Sequence, residues 1–410
     1  ITSSPVYSKE IIKQNLDKIA RSYDFRSKDA DKELKDEVIK AWTKGLVKFQ
    51  RKLLDEDKLV CVVGYDIRHS SERISAKLID TLLNLGIEVI DIGLVTTPIL
   101  YFATLYFDTD LGIMITASHN PPQENGFKPV IKDEEGQRNP TTSEIRKITE
   151  FAKEILDTQE FVGFRREADL IKADNKEIIE KYVNMVIASN WAVGAKKWLE
   201  LQREKFYKDL VDKADEFIKE RLKKEGLPLK GLKVVIDPGN GVAGLPAKIV
   251  LERLGAQVYG INMEPDGSFP NHLPDPTVTK YMNQAYQKLK EVKADIAIGY
   301  DNDGDRIGAV AEINGERFDF QGEHILGAFI DRILKEFPGA KIVVDVKMSD
   351  CISRKVKELG GVPITFKTGH TNIKQKMRET GAVFGAEQSA HMYPAWFGKN
   401  GFFDDSIQAS

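Results

Sequence analysis

Three stretches of the chain repeat one arrangement of apolar and polar positions. The first is Leu59-Val60-Cys61-Val62-Val63-Gly64-Tyr65-Asp66, followed by a helical stretch to Leu85-Gly86 and an apolar run over 87–90. The second is Val234-Val235-Ile236-Asp237, a helix to Leu254-Gly255, then 256–259. The third is Ile342-Val343-Val344-Asp345, a helix to Leu359-Gly360-Gly361, then 362–366. Each copy is an apolar run ending in Asp, a helix closed by Gly and a second strand, which spells a βαβ unit. The runs are continuous, as expected of parallel strands buried on both faces. Three copies predict three similar α/β layers in tandem, not one large sheet.

Between these units the pattern changes. Arg165-Arg166-Glu167-Ala168-Asp169 places a polar linker around 165–176. A Lys/Glu-rich stretch over 190–230 carries Trp198, Leu201, Phe206, Leu210, Phe217 and Leu222 at three-to-five spacing. This predicts an inserted amphipathic helix with a solvated face. Asn314-Gly315, between apolar-rich segments 309–313 and 317–320, predicts a hairpin. The longest apolar stretch, 94–107, is interrupted by Thr96, Thr97, Pro98 and Thr104 and is too short to span a bilayer.

Composition narrows the function classes. Sixty basic against 63 acidic residues give a net charge of −3, which offers no basic excess for nucleic acid or an anionic membrane. At 410 residues the chain holds two to four domains. Cys61 and Cys351 each lie in or just after an apolar run and read as buried thiols in a reducing, cytoplasmic setting. No signal peptide opens the chain, no initiator Met is present, and 404–410 reads as a helix just starting. Both ends therefore read as truncated.

Four stretches carry chemistry. In Gly112-Ile113-Met114-Ile115-Thr116-Ala117-Ser118-His119-Asn120-Pro121-Pro122 a strand ends abruptly, and two prolines forbid its continuation. Ser118 then sits at a loop tip beside His119, with Asn125-Gly126-Phe127-Lys128 close by. A polar turn and a group-transfer loop are both open here; a hydrolase elbow is disfavoured because no G-x-S-x-G occurs. In Tyr300-Asp301-Asn302-Asp303-Gly304-Asp305-Arg306 three carboxylates alternate after an apolar strand. Their mutual repulsion calls for a cation, and all-oxygen ligands favour Mg²⁺, Ca²⁺ or Mn²⁺. An EF-hand is rejected, because Arg306 stands where that loop needs Gly and the flanks read as strands. Gly239-Asn240-Gly241-Val242-Ala243-Gly244, with Glu264 beyond, spells a dinucleotide fingerprint. The intervening Asp237-Pro238 and Pro246 favour a tight turn instead. Finally, Lys347, Lys367-Thr368-Gly369-His370 and Gly385-Ala386-Glu387-Gln388-Ser389-Ala390-His391 follow strands of the third unit. Cationic Lys347 and His370 suit a phosphate. Glu387, Ser389 and His391 alternate, so in an extended chain they share one face suited to sugar hydroxyls.

Together these stretches resemble the α-D-phosphohexomutase family, in its phosphomannomutase/phosphoglucomutase branch. The matching motifs are 116–121 with 125–128, 301–306, 367–370 and 387–391, with Tyr23-Asp24-Phe25-Arg26 and Asp266-Gly267-Ser268-Phe269-Pro270-Asn271-His272 in support. The resemblance implies an α/β fold of three tandem similar α/β domains with mixed, mainly parallel sheets around a central cleft. These domains would span 1–172, 173–315 and 316–410, with the family's fourth, C-terminal domain absent from this chain. It implies reversible phosphoryl transfer between the 1- and 6-positions of glucose or mannose phosphate, with phosphoglucosamine as an alternative sugar; the 125–128 stretch favours the former. Ser118 would be the phosphoserine, and Asp301, Asp303 and Asp305 would hold one Mg²⁺ with the serine phosphate. Glu387 and Ser389 would bind sugar hydroxyls. Arg26, Lys128, His119, Arg306, Lys347, His370 and His391 would line the site, with His391 or Lys128, tuned near neutrality, as general acid/base. Hexose 1,6-bisphosphate would be intermediate and activator. The implied partner is a small hexose phosphate, not nucleic acid or membrane. Ala390 stands where the family more usually has Gly. A Mg²⁺-dependent phosphatase using an Asp of 301–305 as nucleophile is the competing reading.

Overall fold

The computed structural model describes residues 8–159, 168–189, 207–394 and 403–410. Its strands form three separate sheets. The first holds β1 (Phe25–Ser27), β2 (Val60–Tyr65), β3 (Glu88–Leu94), β4 (Leu111–Ile115), β5 (Asn125–Asp133), β6 (Gly136–Arg138) and β7 (Leu170–Lys172), in the order β1-β5-β4-β2-β3-β7 with β6 on β5. Strands β4, β2, β3 and β7 are parallel; β5 runs antiparallel to β4, β1 and β6. The second holds β8 (Lys233–Asp237), β9 (Gln257–Gly260), β10 (Ile296–Tyr300), β11 (Ile307–Ile313) and β12 (Glu316–Phe320), ordered β12-β11-β10-β8-β9. The third holds β13 (Lys341–Asp345), β14 (Val362–Phe366), β15 (Phe384–Ala386) and β16 (Met392–Pro394), ordered β14-β13-β15-β16. Every unit pairs its Asp-ending strand in parallel with the strand after the helix, as the repeat predicts.

The repeated Asp has a local cause. Asp66, Asp237 and Asp345 are all buried at the carboxyl end of a central strand. Each accepts an N–H two residues on: Arg68 N at 3.1 Å, Gly239 N at 2.9 Å and Lys347 N at 3.0 Å. The carboxylate closes an Asx turn that bends the chain sharply off the sheet. It does so at the edge where α/β sheets meet ligands.

Continuous apolar strands feed two cores at once. Cys61 and Val63 face a core with Ile39, Trp42, Leu46, Leu78 and Ile148. Val62 faces the opposite side, where one apolar cluster continues through Tyr182, Ile236, Ile298 and Val344 to Phe384 and so joins all three units. Trp42 stacks on Phe127, with centroids 4.0 Å apart and planes at 9°. Truncating such a buried aromatic costs about 3–5 kcal/mol, and this one backs the strand that carries Lys128.

Several expectations change. The stretch around 165–176 is not all linker: β7 extends the first sheet, and helix Asn175–Ala188 starts directly after it, capped by Asp174. Apolar Leu170 and Ile171 allow this strand to pair despite its polar flanks. Of the single helix expected over 190–230, residues 190–206 lie outside the described residues. The remainder forms two helices, Tyr207–Asp212 and Ala214–Glu225, broken at Lys213. Cys351 is exposed, not buried, because it opens helix Asp350–Glu358 on its outer face; Cys61 is buried. The hairpin at Asn314-Gly315 is present, both residues having positive φ. Helix Ser406–Ala409 forms at the expected place. Among the described residues no helix is long and apolar enough to cross a membrane.

Candidate active site

Strand β4 delivers Ser118 to a loop clamped by one buried guanidinium. Arg68 donates through Nη1 to the carbonyls of Pro121 (2.5 Å) and Glu124 (3.0 Å). Its Nη2 donates to the carbonyls of Ser118 (2.6 Å) and Asn120 (2.7 Å). Its Nε reaches Asp66 Oδ2 at 3.1 Å. Four backbone acceptors thus share one rigid fork of donors. Ser118 itself has φ 52, a left-handed conformation that costs a residue with a side chain about 1–2 kcal/mol. Its N–H is tied to Thr116 Oγ1 at 2.9 Å. Such strain fits a hydroxyl aimed for use.

Strand β10 delivers the acidic loop opposite. Asp301 Oδ1 accepts the N–H groups of Asp305 and Arg306, both at 3.0 Å, which curls the loop around it. Ser118 Oγ donates to Asp301 Oδ2 at 2.7 Å, across 183 residues of sequence. Asp303 Oδ2 accepts from Thr97 Oγ1 at 2.5 Å and Lys128 Nζ at 2.6 Å, and Lys128 also contacts Asp305. The three aspartates are buried, and one oxygen of each lies within 4.8 Å of the others. Asp303 Oδ1 is buried without a hydrogen-bond partner, and Asp305 Oδ1 has only the His391 ring beside it, at 3.4 Å. Burial, with Asp305 and Asp303 close by, raises the Asp301 carboxyl well above the usual range. All-oxygen donors, crowded negative charge and an unpartnered oxygen fit a hard divalent cation. The flanks are strands, as the rejection of an EF-hand requires.

Cations surround this pair of loops. Arg26 Nη2 is held by Asp24 at 2.5 Å, while its Nε is buried with no partner. Arg306 Nε lies 3.3 Å from His391 Nε2, which also lies 3.4 Å from Asp305 Oδ1, and His391 Nδ1 lies 3.0 Å from Ser389 Oγ. His119 Nδ1 lies 3.2 Å from Ser118 Oγ. Burial, then the Arg306 and Arg26 charges, push His119 down to about 2, so it is a neutral neighbour of the hydroxyl.

Some sequence-selected residues behave differently from expectation. Lys128 is not tuned toward neutrality: burial opposes its charge, but Asp303 and Asp305 outweigh burial and hold the ammonium above its usual range. His370 is not a cation, because burial beside the Lys374 ammonium holds it well below the usual imidazole range. The 387–391 segment is a tight turn, not an extended strand: Ala390 N donates to Glu387 O, and Glu387 N to His391 O, both at 3.0 Å. Glu387 is buried, accepting Gly369 N–H at 2.6 Å and the Tyr393 hydroxyl. Each of its oxygens keeps a second lone pair. Ala390 has φ 65, the region where glycine is free of strain. Lys347 is exposed and does not line the central cleft of about 390 Å³, whereas Arg26, Ser118, Lys128, Asp305, Arg306, His370 and His391 do.

This geometry agrees with what the chain is similar to. Models of phosphoglucomutase/phosphomannomutase α/β/α domains I, II and III match residues 17–155, 211–314 and 321–410. The Vibrio cholerae phosphomannomutase is 32% identical over 386 residues, which cover 92% of this chain and 72% of the relative. The chain belongs to the phosphoglucomutase/phosphomannomutase family, within the α-D-phosphohexomutases. Another family member, the Pseudomonas aeruginosa phosphomannomutase/phosphoglucomutase, is 33% identical over 353 residues, 85% of this chain and 64% of the relative. The chain thus spans 64% of the length of that relative. A crystal structure of a family protein from Burkholderia thailandensis superposes with a TM-score of 0.76 at 28% identity, covering 95% of this chain and 74% of that one.

Sequence reasoning missed several residues that build this family site. Arg68 was passed over because its partners are carbonyls, which no side-chain pattern records. Thr97 opens helix Thr97–Tyr106 and was read only as an interruption of an apolar run, yet its N–H and hydroxyl both hold Asp303. Asn302, inside the acidic motif, donates to Asp66 at 2.6 Å and wires the two loops together. Lys374 pairs with buried Asp404 at 2.5 Å, and Asp404 Oδ2 lies 3.7 Å from His391. Arg21 and Lys28 line the cleft mouth beside Tyr23. A signal for these two existed: both lie within two residues of the 23–26 motif.

Proposed function

We propose that this chain carries the phosphoryl-transfer centre of a phosphohexomutase acting on glucose or mannose phosphate. Ser118 gives its phosphoryl group to one hydroxyl of the sugar and recovers the other phosphate from the resulting hexose 1,6-bisphosphate. The observation that carries this reading is the 2.7 Å contact between Ser118 Oγ and Asp301 Oδ2, made by loops from two different sheets. Of the expected units 1–172, 173–315 and 316–410, the last boundary moves to 320, because β12 (Glu316–Phe320) pairs with β11 in the second sheet; we take the cytoplasm as their setting.

In the forward step the sugar hydroxyl oxygen bonds to the serine phosphorus, the P–Oγ bond breaks and the hydroxyl proton leaves. His391 is the proposed proton acceptor, since Lys128 is held charged between Asp303 and Asp305. Arg26 and Arg306 supply fixed positive charge for the transferring group, with no need to reorganise. Ser118, Asp301, Asp303 and Asp305 would hold Mg²⁺, which when bound neutralises charge on the phosphoryl group. Glu387 and Ser389 offer acceptors to sugar hydroxyls, while His370 and Lys347 stand on the third unit's side. In the second step the bisphosphate presents its other phosphate to Ser118 Oγ, and the same residues act in reverse.

The test is to incubate the protein with glucose 1,6-bisphosphate and Mg²⁺ and map the phosphate by mass spectrometry. Phosphate on Ser118, absent from Ser118→Ala, is the expected result. Phosphate on Asp303 would replace this reading with an aspartyl phosphatase.

A further inference from the structure

The stretch 266–272 and the Gly239–Gly244 loop both stood out in the sequence, and neither enters the chemistry above. They form one object. Asp266 N donates to Asn240 O at 2.9 Å, Asn240 Nδ2 to Glu264 O at 2.8 Å, and Asn271 Nδ2 to Asn240 Oδ1 at 2.8 Å. His272 Nε2 lies 3.0 Å from Asp237 Oδ2, at the foot of the same loop. The loop's other side rests on the acidic loop: Val242 N donates to Asn302 O at 2.9 Å, and a Cβ at Gly241 would come within 2.6 Å of Asn302 Cα.

From this base the 266–272 segment crosses to the first unit. A Cβ at Gly267 would meet Ile67 O at 2.4 Å and Arg68 Cα at 3.0 Å, so the two backbones touch. Phe269, buried and at φ 50, places its ring 5.3 Å from the Arg68 guanidinium carbon. Arg68 is the group that holds the Ser118 loop by four carbonyls. An aromatic face against a desolvated guanidinium is attractive and directional.

We propose that Phe269 is a positioning residue: a strut from the second unit that fixes Arg68, and through it the Ser118 loop, relative to the acidic loop. The proposal rests on the phosphoryl-transfer reading for its functional meaning, but its geometry does not depend on substrate. The strut explains the glycine pattern at 239–244 as a cradle, with Gly267 permitting the close approach.

Two variants of the full chain test it, Phe269→Leu and Gly267→Ala, which disturb the strut at different atoms. Hydrogen exchange of the amides in 116–124, measured without ligand, should quicken about tenfold in both, with no change across helix Thr142–Thr158. Single-turnover phosphorylation of Ser118 by glucose 1,6-bisphosphate should slow about tenfold, with half-saturation unchanged. Unchanged exchange at 116–124 in either variant, or equal acceleration in both segments, overturns the strut. Should wild type take no phosphate at Ser118, the mutase reading fails while the exchange result still decides the strut.

Discussion

The two halves of the cleft are built to different standards. On one side, the Ser118 and acidic loops are buried and bonded from three directions: Arg68 beneath, Thr97 alongside, and Ser406 behind, whose hydroxyl donates to Gly304 O at 2.6 Å. On the other, the third unit offers a half-buried Ser389 and a turn that carries a strained alanine. On the proposed function, the difference follows from what each half would do. Phosphoryl transfer depends on alignment within fractions of an ångström, so its groups are over-determined. On the proposed function, recognition of a sugar phosphate that binds in two orientations would gain from donors and acceptors that are left partly uncommitted.

Perturbing each half should therefore give effects of different size. Ser118→Ala should lower mutase turnover at least about a thousandfold, to background in a coupled assay. Chelation with EDTA should abolish turnover, and Mg²⁺ should restore it; full activity in chelator would break the assignment of the acidic loop. Arg68→Met removes the clamp and leaves Asp66 uncompensated, so denaturant unfolding should show a loss of about 3–5 kcal/mol. Ser389→Ala, on the recognising side, should raise KM about two- to fivefold with Tm unchanged. Smallest is Ala390→Gly, which relieves the left-handed strain but loosens the unfolded chain, for a net gain of about 0.5–1 kcal/mol in unfolding free energy. A loss of stability there would mean that the turn tolerates alanine without strain.

The fold was legible because burial on both faces writes itself as continuous apolar runs, and the Asx turn writes itself as a repeated Asp. The acidic loop was legible because like charges rarely crowd without a reason. What stayed hidden was held by backbone atoms or by long-range contacts. Arg68 binds carbonyls, Thr97 acts through helix geometry, and Lys374 finds Asp404 and Asn139 only in three dimensions. The charge states of Lys128 and His370 were misread for the same reason, since the neighbours that set them lie far away in sequence. The 387–391 alternation was misread because hydrogen bonds within the turn, not strand pairing, set its shape.

The 183 residues that separate Ser118 from Asp301 have a consequence for synthesis. At about 5–20 residues per second, roughly ten to forty seconds pass between the emergence of the hydroxyl and that of its acidic partner. Throughout that interval the clamp on the 118–124 loop can already form, because Arg68 precedes the loop by only 50 residues. Every group of the clamp is thus synthesised before the acidic loop that faces it.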